Sequence, residues 1–442
     1  MLAMQRAEGR ANRPEWCFFR QTREVSDSVR PNSTVPPVSA KPATEDSTLF
    51  EPAQLGPLTL RNRVIKAATF EGLSPDGLVT DSLIEFHRSV AAGGVAMTTV
   101  AYLSVAPEGR THAECIQLVD QAVPGLRRLT EAVHAEGALV SAQIGHAGPV
   151  ANASSNRVQS ISPGRMFNPL GMRRTRSATE ADIARISDDY ARSAQLCVKA
   201  GFDALEIHLG HNYLLSAFLS PKFNQRTDRF GGSLENRARF ARQVVLAVRD
   251  AVGESVAVTA KLNMVDGFRG GLGITESIQV AEWLQADGAL NALELTGGSS
   301  LANPMFLFKG RAPLKQFGAT LPWYLRPGFK LVGKKFLRSY PYQEAYFLPL
   351  AKQVQAQVDL PLILLGGISK LETAQAAVAE GFAFVAMGRA LLHDPDLINK
   401  YQAGTASSSG CVHCNRCMPT IYTGTRCPLV DPRLGDEPIV GV

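Results

Sequence analysis

The chain has 442 residues, of which 45% are hydrophobic and 19% are charged, a composition typical of a globular protein with a large core. Its formal net charge of +6 has a local origin: the stretch from Asn303 to Gln343 holds eight Lys or Arg and no acid, which leaves 6 − 8 = −2 for the rest. The charge therefore does not indicate a nucleic-acid-binding protein. No apolar run could span a membrane and the N-terminus lacks a secretory signal, so we expect a cytoplasmic protein with neither nucleic acid nor membrane as a partner.

The chain divides into three parts. Residues 1–47 show no sustained period and predict a disordered N-terminal extension, residues 48–404 alternate short apolar runs with amphipathic segments, and residues 405–442 form a cysteine-rich tail. The apolar runs predict eight strands: Val64–Ala68, Ala96–Val100, Ala138–Ile144, Ala204–His208, Val256–Asn263, Asn291–Gly297, Leu362–Gly366 and Phe384–Gly388. The amphipathic segments predict eight helices: Asp81–Ala92, Gln121–Glu136, Thr179–Ala200, Ser233–Val252, Thr275–Ala286, Tyr342–Val358, Lys370–Glu380 and Pro395–Gln402. This alternation predicts an α/β protein with a (β/α)8 TIM barrel.

Polar residues and glycines stand at the ends of the predicted strands. They are Gln143 and His146, His208 and His211, Lys261 and Asn263, Gly297 and Gly298, Gly366 and Gly367, and Gly388 and Arg389. Because barrel enzymes build their sites at the carboxyl ends of the strands, we expect these residues to converge. The glycines after strands seven and eight, with Arg389, are typical of a cradle for a phosphorylated ligand, although glycines there could also only relieve crowding.

His208 and His211 lie three residues apart, and Tyr213 follows them. A metal would need a third ligand, for which only His146 stands nearby, with no carboxylate beside it. Two imidazole donors would instead suit an oxygen that gains negative charge during a reaction, and Tyr213 could deliver a proton from the other side. A structural role for the histidines remains the alternative.

The stretch from His208 to Phe240 resembles the signature of the old yellow enzyme family of flavin-dependent oxidoreductases. The signature joins the histidine pair and the tyrosine to four further motifs, which occur here as Phe218–Pro221, Asn224 with Arg226 and Asp228, Gly231–Ser233 and Glu235–Phe240. The resemblance implies a barrel that binds FMN and passes hydride from NAD(P)H through the flavin to an activated C=C bond or a similar electrophile. Oxidative amine demethylation, or a slow redox sensor that signals through the C-terminal cysteines, is the alternative.

The resemblance also implies roles for individual residues. The backbone of Ala67, Ala68 and Thr69 would line the flavin, Gln143 would bind its pyrimidine edge, and Lys261 would supply a positive charge near N1, where the family usually has arginine. The phosphate would lie at Gly367, Gly388 and Arg389. His208 and His211 would hold the substrate carbonyl, and Tyr213 would donate the proton.

Two further features lie outside this signature. Cys411, Cys414, Cys417 and Cys427 resemble the iron–sulfur cysteine run of the dienoyl-CoA reductase and trimethylamine dehydrogenase type, with shorter spacing, and they predict either such a cluster or zinc. The basic, aromatic-rich insert, residues 303–343, follows strand six. It would pack on the barrel or on a second subunit of a homo-oligomer, or form a lid that admits an anionic partner such as NADPH or an acyl-CoA.

Overall fold

The structure is a computed structural model, and it describes residues 48–168, 171–321 and 323–432. The predicted extension, residues 1–47, and the last part of the tail, residues 433–442, lie outside the described residues. At the centre is a closed barrel of parallel strands that pair in chain order. The barrel strands are β1 (Val64–Lys66), β2 (Met97–Ser104), β3 (Leu139–Gly145), β4 (Ala204–Leu209), β5 (Ala257–Asn263), β6 (Ala292–Thr296), β7 (Leu362–Leu365) and β8 (Phe384–Met387). All eight predicted strands are present, and the predicted barrel is confirmed.

Helices connect the strands on the outside of the barrel. They are α1 (Asp81–Ala92), α2 (Val123–Ala135), α3 (Glu180–Lys199), α4 (Leu234–Val252), α5 (Ile274–Ala286), α6 (Leu348–Gln355), α7 (Leu371–Ala379) and α8 (Leu397–Gln402). Their apolar faces pack on the strands, and local caps fix where they begin; Thr179, for example, accepts the backbone N–H of Asp182 at the start of α3. Only α6 differs clearly from the prediction, because Ala345 has a left-handed φ of 47° that prevents a helix from starting at Tyr342.

Side chains of alternate residues fill the barrel lumen in layers, since successive residues of a strand point to opposite faces. The layer at the amino ends of the strands is small and apolar, with Ala204, Ala257 and Ala292. The antiparallel hairpin of Ala53–Leu55 and Leu58–Leu60 packs against this layer and closes that end of the barrel. Two residues further along the strands the lumen becomes polar, so the site lies toward the carboxyl ends.

Shorter elements decorate the carboxyl-end loops. Two small strand pairs follow β3, Ile161–Ser162 with Arg176–Ser177 and Phe167–Asn168 with Arg173–Arg174. Short helices form at Ala153–Asn156, Leu214–Leu219, Met305–Phe308 and Arg389–His393. None of the helices that the structure describes is both long enough and apolar enough to cross a membrane.

Besides the short helix Met305–Phe308, the described part of the basic insert forms two helices that the sequence did not predict. The first insert helix (Leu314–Thr320) and the second insert helix (Arg326–Phe336) pack together through Phe317, Phe329 and Phe336. The insert is closed at its base by paired backbone hydrogen bonds between Gly310 and Tyr340. The far end contacts little, since Leu331 is 84% exposed.

The described part of the tail crosses the carboxyl-end face of the barrel. Asn415 donates to the carbonyl oxygens of Lys309 and Arg311 in the insert, and the backbone N–H of Thr425 donates to the carbonyl oxygen of Glu71 in the loop after β1. Gly72 in that loop has a φ of 61°, and its Cα faces the carbonyl oxygen of Ile421. The tail therefore joins two loops that are distant in sequence.

Gly72→Ala should release the tail from the loop after β1. A Cβ at this position would overlap the Ile421 carbonyl oxygen, in addition to the cost of about 1 kcal/mol for a side chain in the left-handed region. Gly288→Ala is the matched control, because Gly288 has a φ of 68° with no atom within 4 Å of the added Cβ. We expect Gly72→Ala to lower the free energy of unfolding by more than Gly288→Ala and, unlike the control, to speed limited proteolysis within residues 405–432. Equal effects of the two changes would contradict this contact.

Candidate active site

A charge cluster occupies the polar layer of the lumen. The Lys261 Nζ lies 2.8 Å from Glu206 Oε1 and 3.0 Å from Glu294 Oε1, and Gln143 Nε2 donates to Glu206 Oε1 at 2.6 Å. These four side chains come from the neighbouring strands β3, β4, β5 and β6, and all are buried. The sequence predicted Gln143 and Lys261 at this position but missed Glu206 and Glu294. The signal was a single glutamate inside an apolar strand, two residues before His208 in one case and two before Thr296 in the other.

Burial and mutual charge set the protonation of this cluster. Burial disfavours the charged form of Lys261, but the attraction of Glu206 and Glu294 outweighs the effect of burial and raises the pKa of the lysine. Burial likewise opposes ionisation of Glu206, yet Lys261 and hydrogen bonds lower its pKa overall. Burial and the neighbouring Glu206 raise the pKa of Glu294 to about 8. At neutral pH the cluster therefore holds a lysine cation, one carboxylate and one carboxylic acid.

The two histidines meet at the carboxyl end of β4. His208 is buried, and the chain then turns through left-handed conformations at His211 and Asn212, with φ of 61° and 57°. This turn brings the two imidazole rings to a centroid distance of 4.9 Å. Asn263 accepts the backbone N–H of His211 at 3.1 Å, and His211 Nε2 lies 2.9 Å from Thr296 Oγ1. Asn263 and Thr296 thus position the second histidine.

Both imidazoles are neutral near pH 7. Burial, the neighbouring His211 and the charge of Lys261 hold the pKa of His208 well below its ordinary value. Burial and Lys261 lower the pKa of His211 to about 3. A neutral imidazole carries one N–H, and His208 Nδ1 is buried with no hydrogen-bond partner among the described residues. The pair therefore offers hydrogen bonds without adding positive charge.

Tyr213 lies beside the pair and completes the predicted catalytic group. Its ring centroid is 4.5 Å from that of His208 and 5.4 Å from that of Tyr102. Burial raises the pKa of the Tyr213 phenol above its ordinary value, so the hydroxyl stays protonated and can donate. The structure thus brings His208, His211 and Tyr213 together, as the sequence predicted.

The geometry gives no support to a metal at the histidines. His146 Nδ1 accepts the backbone N–H of Gly148, and its Nε2 faces Glu108 Oε1 at 3.8 Å. Across the part of the chain that the structure describes, no group of three or more His, Cys, Asp or Glu side chains is arranged to hold a metal ion.

The predicted first-strand and phosphate residues meet where β1 lies beside β8. Ala67 donates its backbone N–H to the Met387 carbonyl oxygen, and Thr69 Oγ1 accepts from Lys66 Nζ at 2.7 Å. At Gly388, a Cβ would meet only Thr69 Cγ2, at 3.8 Å, so open space lies in front of this backbone. Ala68 packs in the small cluster of side chains that includes Tyr213.

Gly367 and Arg389 have partners within the chain. Gly367 has a left-handed φ of 79°, and its carbonyl oxygen accepts from the Tyr342 hydroxyl at 3.0 Å. The Arg389 guanidinium donates to the carbonyl oxygens of Phe308 and Lys309 and to Asn415 Oδ1. Arg389 therefore joins the end of β8 to the insert and to the tail, a role that the sequence did not reveal.

The four tail cysteines affect one another's ionisation. Burial and the thiols of Cys411, Cys414 and Cys427 raise the pKa of Cys417 to about 12, against the opposing effect of the Arg389 charge. Burial also raises the pKa of Cys411 and Cys427. The described thiols are free, with no disulfide. A metal at these cysteines stays a prediction.

Replacing His211 by Asn should make the protein less sensitive to acid. The folded pKa of His211, about 3, lies below the unfolded value of about 6.5, so its contribution to stability is complete above pH 6.5 and is lost as the pH falls toward 3. Between pH 7 and 5 this loss is roughly 2 kcal/mol. Urea unfolding at the two pH values should show wild type losing about that much more than His211→Asn. A pH dependence that is unchanged in His211→Asn would show that the histidine is not held neutral.

Comparison with known proteins places this geometry in a family. The profile of the NADH:flavin oxidoreductase / NADH oxidase family matches residues 48–295. The chain is 54% identical over 395 residues to the 4,4'-dithiodibutanoate disulfide reductase of Rhodococcus erythropolis, covering 88% of this chain and 98% of that protein. It is 29% identical over 360 residues to the multifunctional alkene reductase/demethylase OYE of Caballeronia cordobensis, covering 80% of this chain and 49% of that protein.

A solved structure shows the same fold. The 2-naphthoyl-CoA reductase complex with 2-naphthoyl-CoA superposes with a TM-score of 0.75 at 25% identity, covering 88% of this chain and 57% of that one. The chain thus spans nearly all of the Rhodococcus reductase and about half of the other two proteins. The old yellow enzyme resemblance carried by the motif from His208 to Phe240 is confirmed, and this chain is an oxidoreductase that belongs to the NADH:flavin oxidoreductase / NADH oxidase family.

Proposed function

We propose that this protein is an FMN-dependent reductase of activated alkenes, with NAD(P)H as the electron donor. The observation that carries the proposal is the group of two neutral imidazoles and one protonated phenol at the carboxyl end of the barrel, with ring centroids 4.5 and 4.9 Å apart. Neutral N–H donors suit a substrate oxygen that becomes negative only during the reaction.

The residues around this group fit FMN. The Gln143 amide and the Lys261 ammonium lie in the lumen below the histidines, where they could hold the pyrimidine edge of the ring. The open space in front of Gly388 would let a phosphate approach its backbone, whereas the Tyr346 ring lies close to Gly367. Arg389 would reach the phosphate only by giving up a partner in the insert or the tail.

Bound FMN would accept hydride from the nicotinamide and pass it to the substrate. His208 and His211 would hold the carbonyl or nitro oxygen of the alkene, and their hydrogen bonds would strengthen as negative charge gathers there. Tyr213 would donate its proton to the carbon next to that group. Asn263 and Thr296 would keep His211 in place.

The basic insert supports an anionic partner, of which NADPH is one. The Lys309 ammonium lies 3.8 Å from the ring centroid of Phe306 and 4.2 Å from that of Tyr340. It makes no salt bridge with a described acidic residue, and burial lowers its pKa to about 8. A phosphate or carboxylate next to Lys309 would provide the missing counter-charge.

Reduction of organic disulfides is a second candidate function. It is favoured by the 54% identity with the 4,4'-dithiodibutanoate disulfide reductase over 98% of that protein. Two electrons and two protons convert one disulfide into two thiols, and no carbon atom is protonated in this reaction. The imidazole donors would then stabilise the thiolate that leaves, and Tyr213 would be less important as a proton donor.

Replacing both His208 and His211 by Ala should slow alkene reduction much more than flavin reduction by NAD(P)H. The imidazoles act on the substrate oxygen, and loss of such a donor costs roughly 10²–10³ in rate. We expect the purified protein to be yellow and to release FMN on denaturation, so stopped-flow spectroscopy can follow each half-reaction with a cyclic enone.

The control is His134→Ala on α2, which should leave both half-reactions at wild-type rates. Equal slowing of both half-reactions by the double variant would show that the histidines hold the flavin or the fold. A colourless protein that cannot be reconstituted with FMN would disprove the proposed function. Iron and zinc analysis of the same sample tests the predicted metal at the tail cysteines.

Tyr213→Phe should separate the two candidate functions. Losing a positioned general acid costs about 10²–10⁴ in the step that it assists, so reduction of a weakly activated enone should slow by that factor. The reduction of a nitroalkene should slow much less, because its product anion is stable. The reduction of an aliphatic disulfide with terminal carboxylates should also slow much less. Single-turnover flavin reoxidation with each substrate provides the measurement. If all three substrates slow equally, Tyr213 shapes the pocket and is not the proton donor.

A further inference from the structure

The lumen cluster contains more carboxyl groups than cations. Glu206 and Glu294 project from neighbouring positions on β4 and β6, on either side of Lys261 on β5, and all three are almost fully buried. Both carboxyl groups lie within 3.0 Å of the same Lys261 Nζ. One of them must retain a proton, because two carboxyl groups that share a single cation cannot both remain ionised in a buried site.

Within the described part of the chain, no other group supplies the missing charge. His208 and His211, which face the cluster from the end of β4, are held neutral by burial. Lys66 on β1 is the other cation that acts on the cluster, and its Nζ is bound to Thr69 and lies 3.6 Å from Glu71. Gln143 on β3 is neutral and already donates to Glu206. The proton must therefore stay on one of the two glutamates.

We propose that Glu294 holds this proton and thereby sets the charge of the flavin site, acting as a positioning residue for the Lys261 cation. With Glu294 protonated, Lys261 and Glu206 balance each other and the cluster is neutral. With Glu294 ionised, the same cluster carries one negative charge at the proposed flavin site. The proposal rests on the FMN site proposed above.

The geometry selects Glu294 as the proton holder. Glu206 Oε1 receives two donors, Lys261 Nζ and Gln143 Nε2, and these bonds stabilise a carboxylate. Glu294 Oε1 has Lys261 Nζ nearby at 3.0 Å but no donor of good hydrogen-bond geometry among the described residues. The proton thus lies on the carboxyl group with the poorer set of donors.

The consequence is a pH dependence with a defined sign. Glu294 is protonated below its pKa of about 8 and ionised above it. Above that pH, a negative charge appears next to the flavin and disfavours the extra negative charge of its reduced form. We therefore expect the ratio of reduced to oxidised flavin, at a fixed solution potential, to fall as the pH rises. In wild type this fall should be steeper than the titration of the flavin itself would cause.

Two measurements test this proposal on Glu294→Gln, which has nearly the same shape but cannot ionise. The first is infrared difference spectroscopy of the flavin-free protein between about pH 7 and 9.5, which detects loss of a carboxylic acid C=O band. Wild type should show this band in the difference spectrum, and Glu294→Gln should lack it. Asp266→Asn is the matched control, because Asp266 is another buried acid with a raised pKa, bonded to Ser220 and Asn212 outside the cluster. Asp266→Asn should still show the difference band, as wild type does.

The second measurement is the reduced-to-oxidised flavin ratio of the holoprotein, obtained by equilibration with redox dyes over the same pH range. Wild type should show an additional fall of roughly tenfold to a hundredfold that Glu294→Gln lacks, the size expected for one nearby unit charge. Glu294→Asp, which can still ionise, should restore the fall.

Each result decides the question. A wild-type protein without the infrared band, or a Glu294→Gln protein that keeps it, would show that Glu294 does not hold the proton. A band that behaves as expected, together with a flavin ratio that is identical in wild type and Glu294→Gln, would overturn the charge-setting role. Because the infrared measurement needs no flavin, failure of the FMN proposal would be seen separately, as a protein that has the band but does not bind FMN.

Discussion

Closure of the sheet is the constraint on which the rest of this molecule depends. A barrel of eight parallel strands has no free edge, so every second side chain of each strand must share one narrow lumen. Small apolar residues such as Ala204 and Ala257 fill the end that the N-terminal hairpin covers. Polar side chains can then occupy only the other end, and there they meet partners from neighbouring strands. The ion pairs of Lys261 and the hydrogen bonds of His211 are both results of this alternation.

Different parts of the molecule were predictable from the sequence to different degrees, for physical reasons. The strands and helices of the barrel follow from hydrophobic periodicity, which is local, and His208, His211 and Tyr213 are near one another in sequence. Glu206 and Glu294 could not be recognised, because their significance depends on sharing Lys261 across strands 55 and 33 residues apart. The insert helices were missed because they contain residues that disfavour a helix, namely Gly318, Pro327, Gly328 and Gly333. The partners of Arg389 also lie far away in sequence, up to 81 residues for Phe308.

The comparisons and the site geometry support each other without being redundant. The family assignment rests on the sequence match over residues 48–295, which ends within β6 and includes neither the insert nor the tail. The contacts of the insert and the tail with Arg389 therefore belong to the part of the chain where the family profile gives no guidance. The 54% identity with the disulfide reductase extends beyond this range, since it covers 88% of the chain.

The position of Asn415 among the tail cysteines affects how the tail can be studied. Asn415 stands between Cys414 and Cys417, and it connects Arg389 to the carbonyl oxygens of the insert. A truncation that removes the cysteines therefore also removes a partner of the arginine beside the predicted phosphate site, and a loss of flavin after truncation could be mistaken for loss of a metal. Single replacements of the cysteines by serine leave Asn415 in place. They separate the chemistry of sulfur from the mechanical support that the same segment gives to the barrel.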